Sequence, residues 1–123
     1  MEWSKRDEDF VRRAGFATMA GFTVHAKDAP DRSFRPFLKR IEAASDDPRN
    51  FIKKAVNWAL RQIGKRNSAL HAAAIECARR VAARDTPSAR WIARDALREL
   101  EDPVQVARLQ ARANKANHAK ARA

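Results

Sequence analysis

Residues 50–65 read NFIKKAVNWALRQIGK, and this stretch predicts an amphipathic helix with one apolar and one cationic, aromatic face. Apolar residues follow the spacing of a buried helix face, and they are Phe51, Ile52, Ala55, Ala59 and Ile63. A second stripe falls at i, i+4, i+7 and i+11, and it consists of Lys54, Trp58, Arg61 and Lys65. With the apolar stripe in a core, this cationic stripe is left for solvent or for a partner with negative charge and flat rings.

The start of this helix recurs at intervals of about 40 residues, as FVRR at 10–13, FIKK at 51–54 and WIAR at 91–94. Each copy has an aromatic residue, a β-branched residue, a spacer and a cation. With a helix between consecutive copies, this is the period of stacked helical pairs of the HEAT or armadillo kind. The repeat makes Arg13, Lys54 and Arg94 equivalent, so we expect them to form a row that can follow a phosphate backbone.

The rest of the chain also predicts helices, since the whole sequence has three glycines, no tyrosine and few strand-like alternations. Helices are expected over about 7–25, 32–45, 48–65, 68–83 and 86–100, with a sixth opening at 102–103. Pro48 is placed in the first turn of the third helix. The predicted inner face of the first helix consists of Phe10, Val11, Ala14, Thr18 and Gly21. We therefore expect an all-α, right-handed, HEAT-like solenoid of about three helical pairs over residues 1–101, followed by a terminal helix and basic tail over 102–123.

The net charge of the chain indicates which class of partner it binds. The chain has 26 Lys and Arg against 15 Asp and Glu, a formal net charge of +11, which favours polyanions and nucleic acid first among them. Ribosome contact or an anionic membrane surface also fits the charge alone. Cys77 has no partner thiol, the three histidines lie far apart, and no apolar run approaches the about 20 residues of a membrane span. We expect a cytoplasmic protein without a metal, a cofactor or a membrane segment.

Two residues carry the functional argument, and each has a structural alternative. Trp58 either packs half-buried in a helix seam or presents its indole to a base or sugar between flanking cations. Arg13 either pairs with Asp9, four residues earlier, or holds a phosphate beside small residues. Trp3 and Trp91 are expected to be packing residues. Asp95 is expected to form an ion pair rather than act as a base, its candidate partners being Arg94, Arg98 and Lys54.

Three segments, FVRRAGFATMAG (10–21), RNFIKKAVNWALRQIGKRN (49–67) and ARWIARDALREL (89–100), resemble the DNA alkylation repair family, the AlkD-type glycosylases. The resemblance spans most of residues 3–101 and is to the C-terminal half of that family. It implies a superhelix whose basic concave face wraps duplex DNA and an activity that excises N3- and N7-alkylated purines. Carried over by position, Arg13 resembles the arginine that contacts phosphate. Trp58 resembles the tryptophan that packs against the deoxyribose of the lesion and stabilises positive charge on the sugar.

The catalytic aspartate of that family belongs to the half that has no counterpart here, so the resemblance implies binding of alkylated duplex DNA with weak or absent excision. One alternative is an active glycosylase whose carboxylate comes from a second chain or from Asp95. Another is a helical scaffold whose basic face meets an acidic protein. We further expect the end of the solenoid near Asp7 to pair with a second copy or with the missing N-terminal half.

Overall fold

The computed structural model describes residues 5–26 and 28–122, with the side chains of residues 13–26 and 28–115. Within these ranges the chain forms a 3₁₀ helix (Asp31–Ser33) and α-helices only, which are α1 (Lys5–His25), α2 (Arg35–Ala44), α3 (Asn50–Gly64), α4 (Ser68–Ala82), α5 (Pro87–Leu100) and α6 (Pro103–Arg122). The predicted all-α fold is confirmed. None of the described helices combines the length and the apolar character needed to cross a bilayer.

The helices form two layers. α1 packs against α3 and α3 against α5, while α2 packs against α4, and α4 also contacts α3 and α5. Alternate helices are therefore neighbours within a layer, as the 40-residue period predicts for a helical-repeat fold. The right-handed sense of the solenoid stays a prediction. α6 contacts α4 and α5, and in its middle Arg112 Nη2 donates to the carbonyl of Lys65, just beyond α3, at 2.7 Å.

The core lies between the layers and fixes how closely the helices approach. Fully buried side chains of α3, α4 and α5 fill it, among them Ile52, Leu60, Ile63, Leu70, Val81, Ile92 and Leu100. A Cβ on Gly64 would lie 2.6 Å from Leu100 Cδ2 and 3.1 Å from Ala74 Cβ, so glycine permits this contact among three helices. The predicted breaks at 66–68 and 86–88 are confirmed, because Asn67 and Thr86 cap α4 and α5 with their side chains.

The predicted inner face of α1 is wrong. Ala14 and Thr18 are exposed and Gly21 is half-buried, whereas the buried residues are Phe16, Met19, Ala20 and Thr23. Phe10 and Val11 lie outside the residues whose side chains the structure describes. Both sets have helical spacing, so α1 has two faces of low polarity. Among the described side chains, the buried set is the larger, so its burial removes more apolar surface from water.

The prediction that Pro48 lies in the first turn of α3 is also wrong, because α3 begins at Asn50. Asp47 accounts for the difference. Its Oδ1 accepts the backbone N–H of Arg49 at 3.0 Å and its carboxylate pairs with the Arg49 guanidinium, which holds an extended residue before the helix. The second helix likewise starts later than expected, at Arg35, since the 3₁₀ helix precedes it.

Arg66 sets the position of α1 relative to α3. From the turn after α3, its Nη1 donates to the carbonyl of Thr23 at 2.9 Å, and its Nη2 donates to those of Ala26 at 2.5 Å and Ala29 at 2.9 Å. The guanidinium also lies 4.3 Å from the centre of the Phe34 ring. One planar cation thus satisfies carbonyl groups at the C-terminal end of α1 and in the loop that follows.

Candidate functional site

A groove between α1 and α3, hereafter the α1–α3 groove, brings three of the predicted site residues together. Arg13 comes from α1, and Lys54 and Trp58 come from the first half and the middle of α3. The cleft has a volume of about 550 Å³, and the other residues that line it are Ala17, Asn50, Phe51 and Ala55. The two alanines leave room between the cation on one wall and the indole on the other.

Aromatic rings reach solvent at this groove. Trp58 is 39% exposed and Phe51 is 43% exposed, although both belong to a helix that is otherwise well buried on its other side. The prediction that Phe51 belongs to the buried stripe is wrong, whereas Ile52, Ala55, Ala59 and Ile63 are buried as predicted. Phe51 stays exposed because it stands in the first turn of α3, at the lip of the cleft. Apolar rings held in water at a concave surface are suited to a ligand with flat faces.

The charge of the groove is uncompensated in the part of the chain whose side chains are described. None of those side chains forms an ion pair with Arg13 or Lys54, and the same holds for Arg94 on α5. The alternative partner of Arg13, Asp9, lies outside that part. No Asp or Glu occurs among the lining residues whose side chains the structure describes. Concave surfaces of one charge sign concentrate the field and attract polyanions.

The other two cations of the stripe have a different environment. Arg61 Nη1 lies 2.7 Å from Glu99 Oε2, and Lys65 Nζ lies 2.8 Å from Glu99 Oε1. Burial raises the pKa of Glu99, but hydrogen bonds and charges from Arg61 and Lys65 outweigh it, so the pKa lies below its ordinary value. The stripe predicted as one surface is therefore divided into an unpaired half at the groove and a paired half at the α3–α5 seam.

Asp95 belongs to the same seam. Its carboxylate lies 2.5 Å from Arg98 Nη2 and 3.7 Å from Arg61 Nε. The expected ion pair with Arg98 is confirmed, and the contact with Arg61 adds a partner that the spacing did not indicate. Lys54 and Arg94, the other candidates, do not pair with it.

Sequence reasoning missed two features near the stripe. Asn57 is buried at 2% exposure, and it links α3 to α5 through its Nδ2, which donates to the carbonyl of Ile92 at 3.2 Å. Trp91, predicted to be a packing residue, is 37% exposed and has Lys53 Nζ 4.7 Å from its ring centre. Trp91 is equivalent to Phe51 in the repeat, and both rings are exposed near the starts of odd-numbered helices. Trp3 lies outside the described residues.

The remaining titratable groups have no arrangement suited to metal binding. Among the residues that the structure describes, no three His, Cys, Asp or Glu side chains come together at a place that could hold a metal ion. Cys77 is buried as predicted, and its burial raises the pKa of the thiol to about 11, so it remains protonated and unreactive at neutral pH.

Comparison with protein families identifies the chain. The family model described as DNA alkylation repair enzyme matches residues 1–100. The chain belongs to this family. The match confirms the resemblance to the DNA alkylation repair family, and it contains all the described residues that line the α1–α3 groove, whereas α6 follows it. The family description makes DNA the expected substrate. No curated protein matches the chain, and no solved structure matches it.

Proposed function

We propose that this chain binds duplex DNA in the α1–α3 groove and corresponds to the C-terminal half of an AlkD-type DNA alkylation repair glycosylase. One observation carries the proposal, namely that Arg13, Lys54 and Trp58 line a single cleft with no acidic residue among its described lining residues, in a member of a DNA repair family. The overall charge of +11 supports the same partner, because release of counterions from DNA drives the association.

Each groove residue has a distinct role in this proposal. Arg13 and Lys54 hold phosphates of one strand, since a guanidinium and an ammonium both bind phosphate oxygens. Trp58 lies against the deoxyribose of an alkylated nucleotide, where the π face of the indole favours positive charge on the sugar. Ala17 and Ala55 allow the backbone of the strand to approach closely. Arg94, exposed on α5, extends the row of phosphate contacts.

We further propose that the chain by itself excises alkylated purines weakly or not at all. Loss of a base from the sugar develops positive charge that a nearby carboxylate stabilises, and removal of such a group costs on the order of 3 kcal/mol in the transition state. Of the residues with described side chains, those that line the groove include no carboxylate. Release of N7-methylguanine from duplex DNA measures this directly. Single-turnover release comparable to that of an active glycosylase would contradict the proposal.

A salt titration with duplex DNA tests the binding. Three unpaired cations, Arg13, Lys54 and Arg94, predict a slope of log K against log salt of about −3. Lys54→Ala should flatten the slope by about 1 and weaken alkylated and unmodified duplexes equally. Trp58→Ala should reduce the preference for alkylated duplex instead. Lys39→Ala, an exposed cation on α2, is the matched control and should change neither quantity. Absence of binding, or equal effects of the Lys54 and Trp58 changes, would contradict the assigned roles.

A further inference from the structure

The last helix, α6, adds positive charge beyond the helical repeat. From Val104 onward the sequence has five Lys and Arg residues and no Asp or Glu. Three of these cations have described side chains, namely Arg108, Arg112 and Lys115, and all three are exposed. None of them forms an ion pair with another described side chain. The family match ends at residue 100, so this charge lies outside the part of the chain that the match covers.

The three cations share one flank of α6. Leu109 is 5% exposed and marks the side of α6 that packs on the rest of the protein. At about 100° per residue, the three cations lie about 60 to 120° round the helix from Leu109, all to the same side. The other flank has Gln110 and no charged residue among those with described side chains. The charge of α6 is therefore directed to one side.

Arg112 fixes the direction in which this cationic flank faces. Its Nη2 donates to the carbonyl of Lys65, just beyond the C-terminal end of α3, at 2.7 Å. It also lines a cleft of about 530 Å³ together with Val24 of α1 and Gln62 of α3. Gln62 lies about one turn beyond Trp58, so this cleft continues the seam between α1 and α3 that contains the α1–α3 groove. The cationic flank thus begins at the far end of the same seam.

The dimensions of this surface suit a phosphate backbone. Trp58 and Lys65 are about 10 Å apart along the axis of α3, so the cationic flank begins about that far beyond the indole. Arg108 and Lys115 are in turn about 10 Å apart along α6. Phosphates of one strand follow each other about every 3.4 Å along the duplex axis, which gives room for about three of them. Arg112 donates to a neutral carbonyl, so its charge still contributes to the field.

We propose that α6 is a second DNA-binding element, which holds phosphates of the duplex beyond the α1–α3 groove. The inference rests on the proposed binding of DNA in that groove. Arg108 and Lys115 contact the phosphates, while Arg112 holds α6 against the end of α3. Contacts to phosphate carry no information about the base. α6 therefore raises the affinity for every duplex and leaves preference for the lesion to Trp58.

A double variant, Arg108→Gln with Lys115→Gln, tests this element without changing Arg112. Its matched control is Lys39→Gln with Arg40→Gln, which removes the same charge from exposed residues of α2. Since log K changes by about 0.9 per phosphate contact and decade of salt, each lost contact lowers the affinity up to about 8-fold at roughly 0.1 M salt. We expect the α6 variant to bind duplex DNA about 10- to 60-fold more weakly, and the control to change affinity less than about 3-fold.

The salt dependence gives a second readout. The groove cations and Arg94 alone predict a slope of log K against log salt of about −3, and the two α6 contacts steepen it to about −5 in the unchanged protein. The α6 variant should return the slope to about −3. Its ratio of affinities for alkylated and unmodified duplex should stay the same, because only phosphate contacts are lost.

A charge-preserving variant separates charge from structure. Arg108→Lys with Lys115→Arg should bind within about 2-fold of the unchanged protein, since either cation can hold a phosphate. Should the glutamine variant lose helical circular dichroism, each single substitution replaces it, with about half of the change in slope. Loss of affinity in the charge-preserving variant equal to that in the glutamine variant would contradict the inference.

The outcomes distinguish this inference from the proposed function. If Lys54→Ala weakens binding while the α6 variant behaves like its control, the α6 element is refuted and the groove stands. If the α6 variant weakens binding while Lys54→Ala has no effect, the groove is refuted and α6 carries the binding. If no form binds DNA, both proposals fail. Weaker binding of the α6 variant to phosphatidylserine vesicles, with unchanged affinity for DNA, would assign this surface to a membrane and overturn the inference.

Discussion

Replacing Arg66 by Met should destabilise the protein more than any other change at a charged residue discussed above. Arg66 donates three hydrogen bonds, to the carbonyls of Thr23, Ala26 and Ala29, and lies over the ring of Phe34. Methionine keeps most of the apolar stem and removes every donor. The change therefore isolates the guanidinium from the packing of its side chain.

The magnitude follows from these contacts. A hydrogen bond from a charged donor contributes about 1.5 kcal/mol or more when buried, and we take about 1 kcal/mol for each of three because water reaches this half-buried site. The free energy of unfolding should then fall by about 3 kcal/mol. With an unfolding entropy of about 2.1 cal/mol/K per residue, this corresponds to a decrease in Tm of roughly 12 °C for a chain of this length.

Urea unfolding and thermal melts followed by circular dichroism measure both quantities. Arg79→Met is the matched control, since it removes the same charge from a side chain that is 69% exposed and lies 3.4 Å from Glu101. It should lower the free energy of unfolding by less than about 0.5 kcal/mol. Arg66→Lys should recover only part of the loss, because an ammonium cannot reproduce the planar fork. If the free energy of unfolding of Arg66→Met lies within about 1 kcal/mol of that of the unchanged protein, the guanidinium of Arg66 does not hold α1 in place.

Three further changes test other contacts. Asn57→Ala removes the hydrogen bond to the carbonyl of Ile92 and should lower the free energy of unfolding in urea by about 1–3 kcal/mol; a loss under about 0.5 kcal/mol would contradict this link between α3 and α5. Burial raises the pKa of Cys77 from 9.0 to about 11, so as pH rises through this range the free energy of unfolding should fall by about 3 kcal/mol relative to Cys77→Ala, and parallel curves would refute its burial. Arg112→Ala removes the hydrogen bond to the Lys65 carbonyl and should lower the free energy of unfolding by about 1 kcal/mol. The total helical circular dichroism signal should decrease as α6 loses this contact.

Helix positions could be predicted from the chain because their signals are local. The apolar period of residues 50–65, the cap at Thr86 with Pro87 behind it, and the Asn67 cap each act within one or two turns. The errors occur where two local sequence patterns predict different structures for the same residues. Asp47 accepts a hydrogen bond from the backbone of Arg49, so the chain forms a turn where an earlier start of α3 was predicted. In α1, two faces have similar polarity, and the spacing fits either as the buried one. No local rule chooses between such readings, since the choice depends on which one a distant helix covers.

The candidate site shows the same division. Equivalence in the repeat correctly placed Arg13 and Lys54 on neighbouring helices, because a 40-residue period makes alternate helices adjacent. It did not reveal that Arg61 and Lys65 share a carboxylate. Glu99 lies 38 residues beyond Arg61, and its helix carries other acids that spacing alone could equally have selected.

By itself, the sequence determined the helices, their pairing into a repeat, the excess of positive charge and membership of the DNA alkylation repair enzyme family. Tertiary structure alone decided which face of α1 is buried and which cations of the Lys54 to Lys65 stripe remain unpaired. The physical reason is that helical spacing specifies which side chains share a face, a property of one segment. Burial and ion pairing depend on the surface that a second segment brings against that face, and only the packed helices specify it.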